Sequence, residues 1–186
     1  MLEPPDPAPI LPAGRITYYL GWGCNVGTEP EMIARVRQTL AAVQQIPGTE
    51  ILVRSSIYRT PPWGNTAQAS FLNGVIKILS DLAPLDLLHQ VKAIEQTQGR
   101  QARERWGPRE INLDILLAED ANGQPIELQT DALNIPHKNL LNRSFVIVPL
   151  LEIEAKIKLP SGQRIVEAAL EAVTSDPGIV RLDSAI

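Results

Sequence analysis

ITYYLGWGCNVGTEPEMIARVRQTLAAVQQ, residues 16–45, changes period halfway along its length, and that change sets the fold class. Ile16–Trp22 is β-branched and aromatic, which predicts a strand. Gly23, Cys24 and Asn25 interrupt it, and Thr28 stands where a hydroxyl caps a helix. Beyond Thr28, Met32, Ile33, Val36, Leu40 and Val43 recur at spacings of three and four, so a helix reaching about Gln45 buries one face.

Working outward, Pro47-Gly48 ends this unit, and a strand is expected through Ile51, Val53 and Ile57. The turn-rich stretch RTPPWGNTAQAS then leads into another strand, Phe71 to Leu79. Pro84 and Asp86 open a second amphipathic helix, with Leu87, Leu88, Val91 and Ile94 on one face and its end near Gly99. Ile111 to Leu117 reads as a buried strand. A turn at Asn122-Gly123, an Ile135-Pro136-His137 segment, a helix around Ser144 to Glu152 and a short helix near Val166 to Ala172 complete the chain. Strand, helix, strand, strand, helix, strand is the split βαβ order of an α+β, ferredoxin-like βαββαβ sandwich, with helices packed on an antiparallel sheet.

The 186 residues suit one domain, expected over 15–175, between a proline-rich tail at 1–14 and a C-terminal tail at 176–186. A chain 44% hydrophobic and 20% charged, with no long apolar block, is expected to be soluble and cytoplasmic, with no membrane partner. Its net charge of -4 gives no reason to expect nucleic acid. The single cysteine, Cys24, rules out an internal disulfide and reads as a small semi-buried residue.

An anion site must therefore be local. Gly99 to Asp114, GRQARERWGPREINLD, places Arg100, Arg103, Arg105 and Arg109 just ahead of a strand whose polar face carries Glu110, Asn112 and Asp114. Cationic forks for phosphate beside oxygen ligands for Mg²⁺ suit phosphoryl transfer. The competing reading is a solvated charge run on an exposed edge. No GxxxxGK[ST], GxGxxG or GxSxG occurs, so a P-loop, a dinucleotide fingerprint and a serine-hydrolase elbow are absent, and any ATP is gripped by side chains. His89 reads as a partly exposed helix residue. His137, ahead of Asn142, Arg143, Ser144 and Phe145, either closes a site or sits in a capped turn.

RTPPWG (59–64), FLNG (71–74), ERWGPREINLDILL (104–117) and IPHKNLLNRSFVIVPL (135–150), in this order, resemble the 6-hydroxymethyl-7,8-dihydropterin pyrophosphokinases of folate biosynthesis. The resemblance spans about Ile16 to Ala172. It implies a diphosphokinase, a monomer that binds ATP as co-substrate and moves its diphosphate to the pterin hydroxymethyl oxygen, releasing AMP, with two Mg²⁺ ions as cofactors. By the resemblance, Asp114, Arg100 and Arg109 are catalytic, and Asp114 with Asn112 holds the metal. Glu95, Arg100, Trp106, Arg109, Ile115, His137 and Arg143 fall on the nucleotide side. Phe71 and Phe145 would sandwich the pterin, with Thr60, Pro61, Trp63 and Asn73 along its edge.

The chain departs from that pattern where a second metal-binding aspartate is replaced by Asn112, which keeps an oxygen ligand and loses a charge. Two expectations follow. Either Glu110 on the same face compensates, or the chain is a pterin- and nucleotide-binding homologue with impaired catalysis. Cys24 and Lys138 are smaller departures.

Overall fold

The computed structural model describes residues 14–62, 67–100, 107–169, 178–183 and 186. The expected tail at 1–13 and the end of the last short helix lie outside them.

Strands β1 (Ile16–Cys24), β2 (Thr49–Arg54), β3 (Ile57–Thr60), β4 (Phe71–Ser80) and β5 (Asn112–Glu119) alternate with helices α1 (Glu29–Gln44) and α2 (Pro84–Thr97). Two short strands, β6 (Leu128–Gln129) and β7 (Asn134–Ile135), form a separate pair. Helices α3 (Ser144–Ile153) and α4 (Ile165–Ala168) and strand β8 (Val180–Leu182) follow. The main sheet runs β5-β1-β4-β3-β8, with β2 also on β4, and every pair is antiparallel. Strands from β1 to β5 thus adopt the expected ferredoxin-like order.

The second expected strand is divided at Ser55-Ser56 because Ser55 replaces a ladder residue with its side chain. Its N–H donates to the Val75 carbonyl at 2.9 Å, and its Oγ accepts from the Val75 N–H at 2.9 Å. Val180–Leu182, assigned by sequence to a tail, instead pairs with Ile57–Arg59 as the last strand.

Both faces of the sheet are covered. Tyr18, Leu20, Trp22, Ile76, Ile78, Leu113 and Ile115 meet Met32, Val36, Leu40, Leu87 and Val91 of α1 and α2. On the other face Tyr19, Val75, Leu116 and Leu117 meet Val146, Ile147 and Leu150 of α3. A register shift between Tyr19 and Leu20 opposite β5 lets both Leu116 and Leu117 reach this second face.

Helix ends set the site. At the start of α1, Glu31 Oε2 accepts from the Thr28 N–H at 2.7 Å and from its hydroxyl at 2.8 Å. At the end of α2, Gly99 has φ +84, the Gly99 N–H bonds to the Gln96 carbonyl, and the Arg100 N–H bonds to the Glu95 carbonyl. This left-handed cap turns Arg100 back over the last turn, beside Glu95.

Candidate active site

A cavity of about 310 Å³ opens on the α3 side of the sheet. Its floor comes from β1, β4 and β5, and its roof from the His137–Val146 segment. Gly23 faces Asn73 so closely that a Cβ there would lie 2.6 Å from Asn73 Oδ1, so glycine makes the room. Asn73 Nδ2 donates to Thr60 Oγ1 at 2.7 Å, and both residues are buried. Phe71 from β4 and Phe145 from α3, each half-buried, add apolar surface from two different elements. Arg143 lies over the Phe145 ring, 5.8 Å from its centroid.

The opposite end is cationic. Lys92, Arg100, Arg109 and Arg143 line it, and Asp114 is the only carboxylate lining the cavity among the described residues. Arg109 Nη1 donates to Asn112 Oδ1 at 2.8 Å, and Asn112 Nδ2 donates to Asp114 Oδ2 at 2.8 Å. Asp114 also lies 3.8 Å from Lys92 Nζ and 3.8 Å from Arg143 Nη1. Burial pulls the Arg143 pKa down, Asp114 raises it and Arg109 lowers it, but arginine starts too high to lose its proton near neutrality.

His137 is fixed by its N–H to the Leu116 carbonyl at 2.8 Å, and its Nδ1 accepts from the Asn139 N–H at 3.2 Å. Burial lowers its pKa, opposed by Asp114 and reinforced by Arg143, Lys92 and Lys138, so the ring is neutral near pH 7. With Nδ1 accepting, Nε2 carries the remaining proton and is a donor.

Of the residues singled out from sequence, Thr60, Pro61, Phe71, Asn73, Arg100, Arg109, Asn112, Asp114, His137, Arg143 and Phe145 all line the cavity. Trp63 and Trp106, with Arg103 and Arg105, lie outside the described residues. Two others are not on its wall. Ile115 points into the core beneath α1 and α2. Glu95 is 2% exposed and sits behind β5, accepting from the Leu113 N–H at 2.6 Å and pairing with Arg100 and Lys92.

Glu110 precedes β5, is buried, and is not among the lining residues, so the expectation that it shares the floor with Asn112 does not hold. Burial pushes the Cys24 thiol up to about 12, opposed by Arg35, which makes it a core residue.

Two contributors escaped the sequence. Asn25, read there only as part of a break, is buried and joins three segments. It exchanges bonds with Arg109, whose N–H reaches Asn25 Oδ1 at 2.8 Å and whose carbonyl accepts from the Asn25 N–H at 3.0 Å. Its Nδ2 donates to the Ala69 carbonyl at 3.2 Å. Lys92 is the other, and its only sequence signal is its i,i+3 spacing from Glu95.

A family model described as 7,8-dihydro-6-hydroxymethylpterin-pyrophosphokinase matches residues 19–155. The chain belongs to this family. As a member of the pyrophosphokinase family it is 41% identical over 152 residues to the 2-amino-4-hydroxy-6-hydroxymethyldihydropteridine pyrophosphokinase of Haemophilus influenzae, covering 82% of this chain and 90% of the relative. It is 39% identical over 165 residues to the enzyme of that name from Methylorubrum extorquens, covering 89% and 98%. A crystal structure titled as HPPK-DHPS in complex with substrates superposes with a TM-score of 0.64 at 16% identity, over 87% of this chain. This chain spans only 44% of that longer one, and the likeness shows the shared fold of that part.

Proposed function

We propose that this pyrophosphokinase transfers the diphosphate of ATP to the hydroxymethyl oxygen of 6-hydroxymethyl-7,8-dihydropterin, a step of folate biosynthesis, and releases AMP. The observation that carries the reading is one cavity with two chemically distinct ends. A flat apolar slot with an Asn73–Thr60 pair adjoins four cationic side chains. A flat heteroaromatic needs stacking surfaces and a few fixed polar groups, whereas a polyphosphate needs guanidinium and ammonium groups.

In this reading Phe71 and Phe145 stack on the pterin, while Asn73, Thr60 and the Pro61 end of β3 orient its edge. Trp63 and Trp106 are assigned to pterin and nucleotide on the sequence resemblance alone. Arg100, Arg109 and Arg143 hold phosphate oxygens, and the His137 Nε2–H donates to a phosphate or ribose oxygen. Glu95 keeps Arg100 in place from behind the strand. Ile115 contributes through the backbone of β5, because its side chain is in the core.

Catalysis is then mostly alignment, bringing the hydroxyl oxygen in line with the β-phosphorus, together with neutralisation of charge. Among the described residues no group of three or more His, Cys, Asp or Glu could hold a metal alone. The Asp114 carboxylate and the adjacent Asn112 amide oxygen are nevertheless hard donors, and Mg²⁺ is commonly held by one or two carboxylates plus substrate phosphates. Asn112 turns its Nδ2 to Asp114 and its Oδ1 to Arg109, so the pair fits such a shared site once the amide rotates, and Asp114 with Asn112 would then hold Mg²⁺ there. Bound Mg²⁺ would supply further neutralisation of the transferring phosphates.

The enzyme is proposed to work as a cytoplasmic monomer with neither nucleic acid nor membrane as partner. No helix among the described residues is long and apolar enough to cross a membrane. The test is AMP release from ATP in the presence of the hydroxymethyl pterin, with the pterin diphosphate followed by chromatography. Stoichiometric AMP and pterin diphosphate are expected, with kcat/KM falling at least about a hundredfold in Asp114→Ala. Binding of both substrates without AMP would overturn the catalytic reading.

A further inference from the structure

The outer edge of β5 is closed beside the cavity by side chains where a neighbouring strand would otherwise pair. The Leu113 N–H donates to Glu95 Oε1 at 2.6 Å, and the Leu113 carbonyl accepts from Lys92 Nζ at 2.7 Å. Lys92 Nζ also donates to Glu95 Oε1 at 2.8 Å, so the two α2 residues form a closed clasp around one residue of the strand. The same ammonium lies 3.8 Å from Asp114 Oδ1 and lines the cavity. Lys92 therefore touches both the backbone that aims Asp114 and the carboxylate itself.

We propose that Lys92 is a positioning residue for diphosphate transfer. It clasps β5 at Leu113 and acts as a resident counter-cation to Asp114, holding off divalent cations until a polyphosphate enters. The proposal rests on the reading that Asp114 serves as a metal ligand. Its physical basis is competition: a divalent cation on Asp114 would stand beside the Lys92 ammonium, and with Asn112 uncharged the other carboxylate within reach of Lys92 among the described residues is Glu95, which Arg100 already shares. A polyphosphate brings several negative charges and removes that deficit.

The discriminating measurement is calorimetric titration of Mn²⁺ into the full chain, without nucleotide and then with a non-hydrolysable ATP analogue. Without nucleotide, Lys92→Met is expected to tighten Mn²⁺ binding about fivefold or more at low salt, less at high salt, where partly exposed charges are screened. Lys92→Arg, which keeps the charge, is expected to stay near the parent value. With the analogue bound the difference should shrink, while kcat falls in Lys92→Met with little change in the pterin KM. Should Lys92→Met fail to fold, Lys92→Gln retains a donor for the Leu113 carbonyl, loses the charge, and carries the same expectation. Mn²⁺ binding that disappears in Asp114→Ala yet is unaffected by Lys92→Met and Lys92→Gln would overturn this proposal alone. Absence of any Asp114-dependent Mn²⁺ binding would overturn the metal assignment as well.

Discussion

Phe145 carries a large share of the apolar end of the cavity, since its side chain lines the wall while only part of its surface packs into the core behind α3. Removing the ring should therefore weaken binding more than folding. Phe145→Ala is expected to cost about 1–3 kcal/mol in pterin affinity, the range for a flat base stacked on an aromatic side chain. Titration of the pterin in the presence of a non-hydrolysable nucleotide reads this directly, and an unchanged affinity would remove Phe145 from the stack. Asn112 shows why residue identity alone does not settle a role. Its amide is divided between Arg109 and Asp114, so it bridges a cation and an anion. An aspartate there could still accept from Arg109 but would repel Asp114, where the amide now donates a hydrogen bond.

Between elements, the site depends on links that join distant segments. Asn25 ties the end of β1 to Arg109 ahead of β5 and to Ala69 ahead of β4. Asn25→Ala leaves the half-buried Arg109 N–H and the Ala69 carbonyl without this partner, at a cost of about 0.5–1.5 kcal/mol for each bond lost. Because Arg109 is displaced too, the KM for ATP should rise more than the pterin KM. Denaturant midpoints together with the two KM values test this, and a stability loss with both KM values unchanged would show that Asn25 does not hold the site. Strand β8 depends on a comparable link. Glu152 on α3 accepts from the Ser56 N–H at 2.8 Å, the Ser56 hydroxyl at 2.7 Å and the Tyr58 hydroxyl at 3.1 Å, and it lies 3.4 Å from Arg181 of β8.

Across the whole molecule, two carboxylates give opposite pH dependences to stability. For Glu152, burial pushes the pKa up, but the hydrogen bonds from Ser56 and Tyr58 and the charge of Arg181 outweigh it, leaving the pKa low. Its contribution is present above the ordinary carboxylate range, near 4.3, and is lost as pH falls through the lower folded value. For Glu119, burial dominates and raises the pKa, although the Tyr19 hydroxyl and Lys77 oppose it and Glu154 and Asp120 add to it. Its contribution is full below the ordinary range and is lost as pH rises through the higher folded value. Urea midpoints measured from about pH 4 to 7 should decline less toward neutrality in Glu119→Gln than in the parent. Identical pH profiles would mean that Glu119 titrates as it does in the unfolded chain. Both groups lie outside the cavity wall, so turnover per folded molecule should not follow this change.

Local signals in the sequence were enough for the element order, the Thr28 cap, the Gly99 stop and the β5 alternation that puts Asn112 and Asp114 opposite Leu113 and Ile115, because each depends on residues within one or two turns or a single strand. The ordered motifs likewise pointed to the family and to most of the cavity-lining residues. Tertiary structure decided the rest: the split at Ser55, the pairing of β8, the bridging role of Asn25, the burial of Glu110 away from the floor, and the Lys92 clasp on Leu113. Those contacts are made between segments about 20 to more than 120 positions apart, and only the closed sheet with helices on both faces brings them within hydrogen-bonding distance.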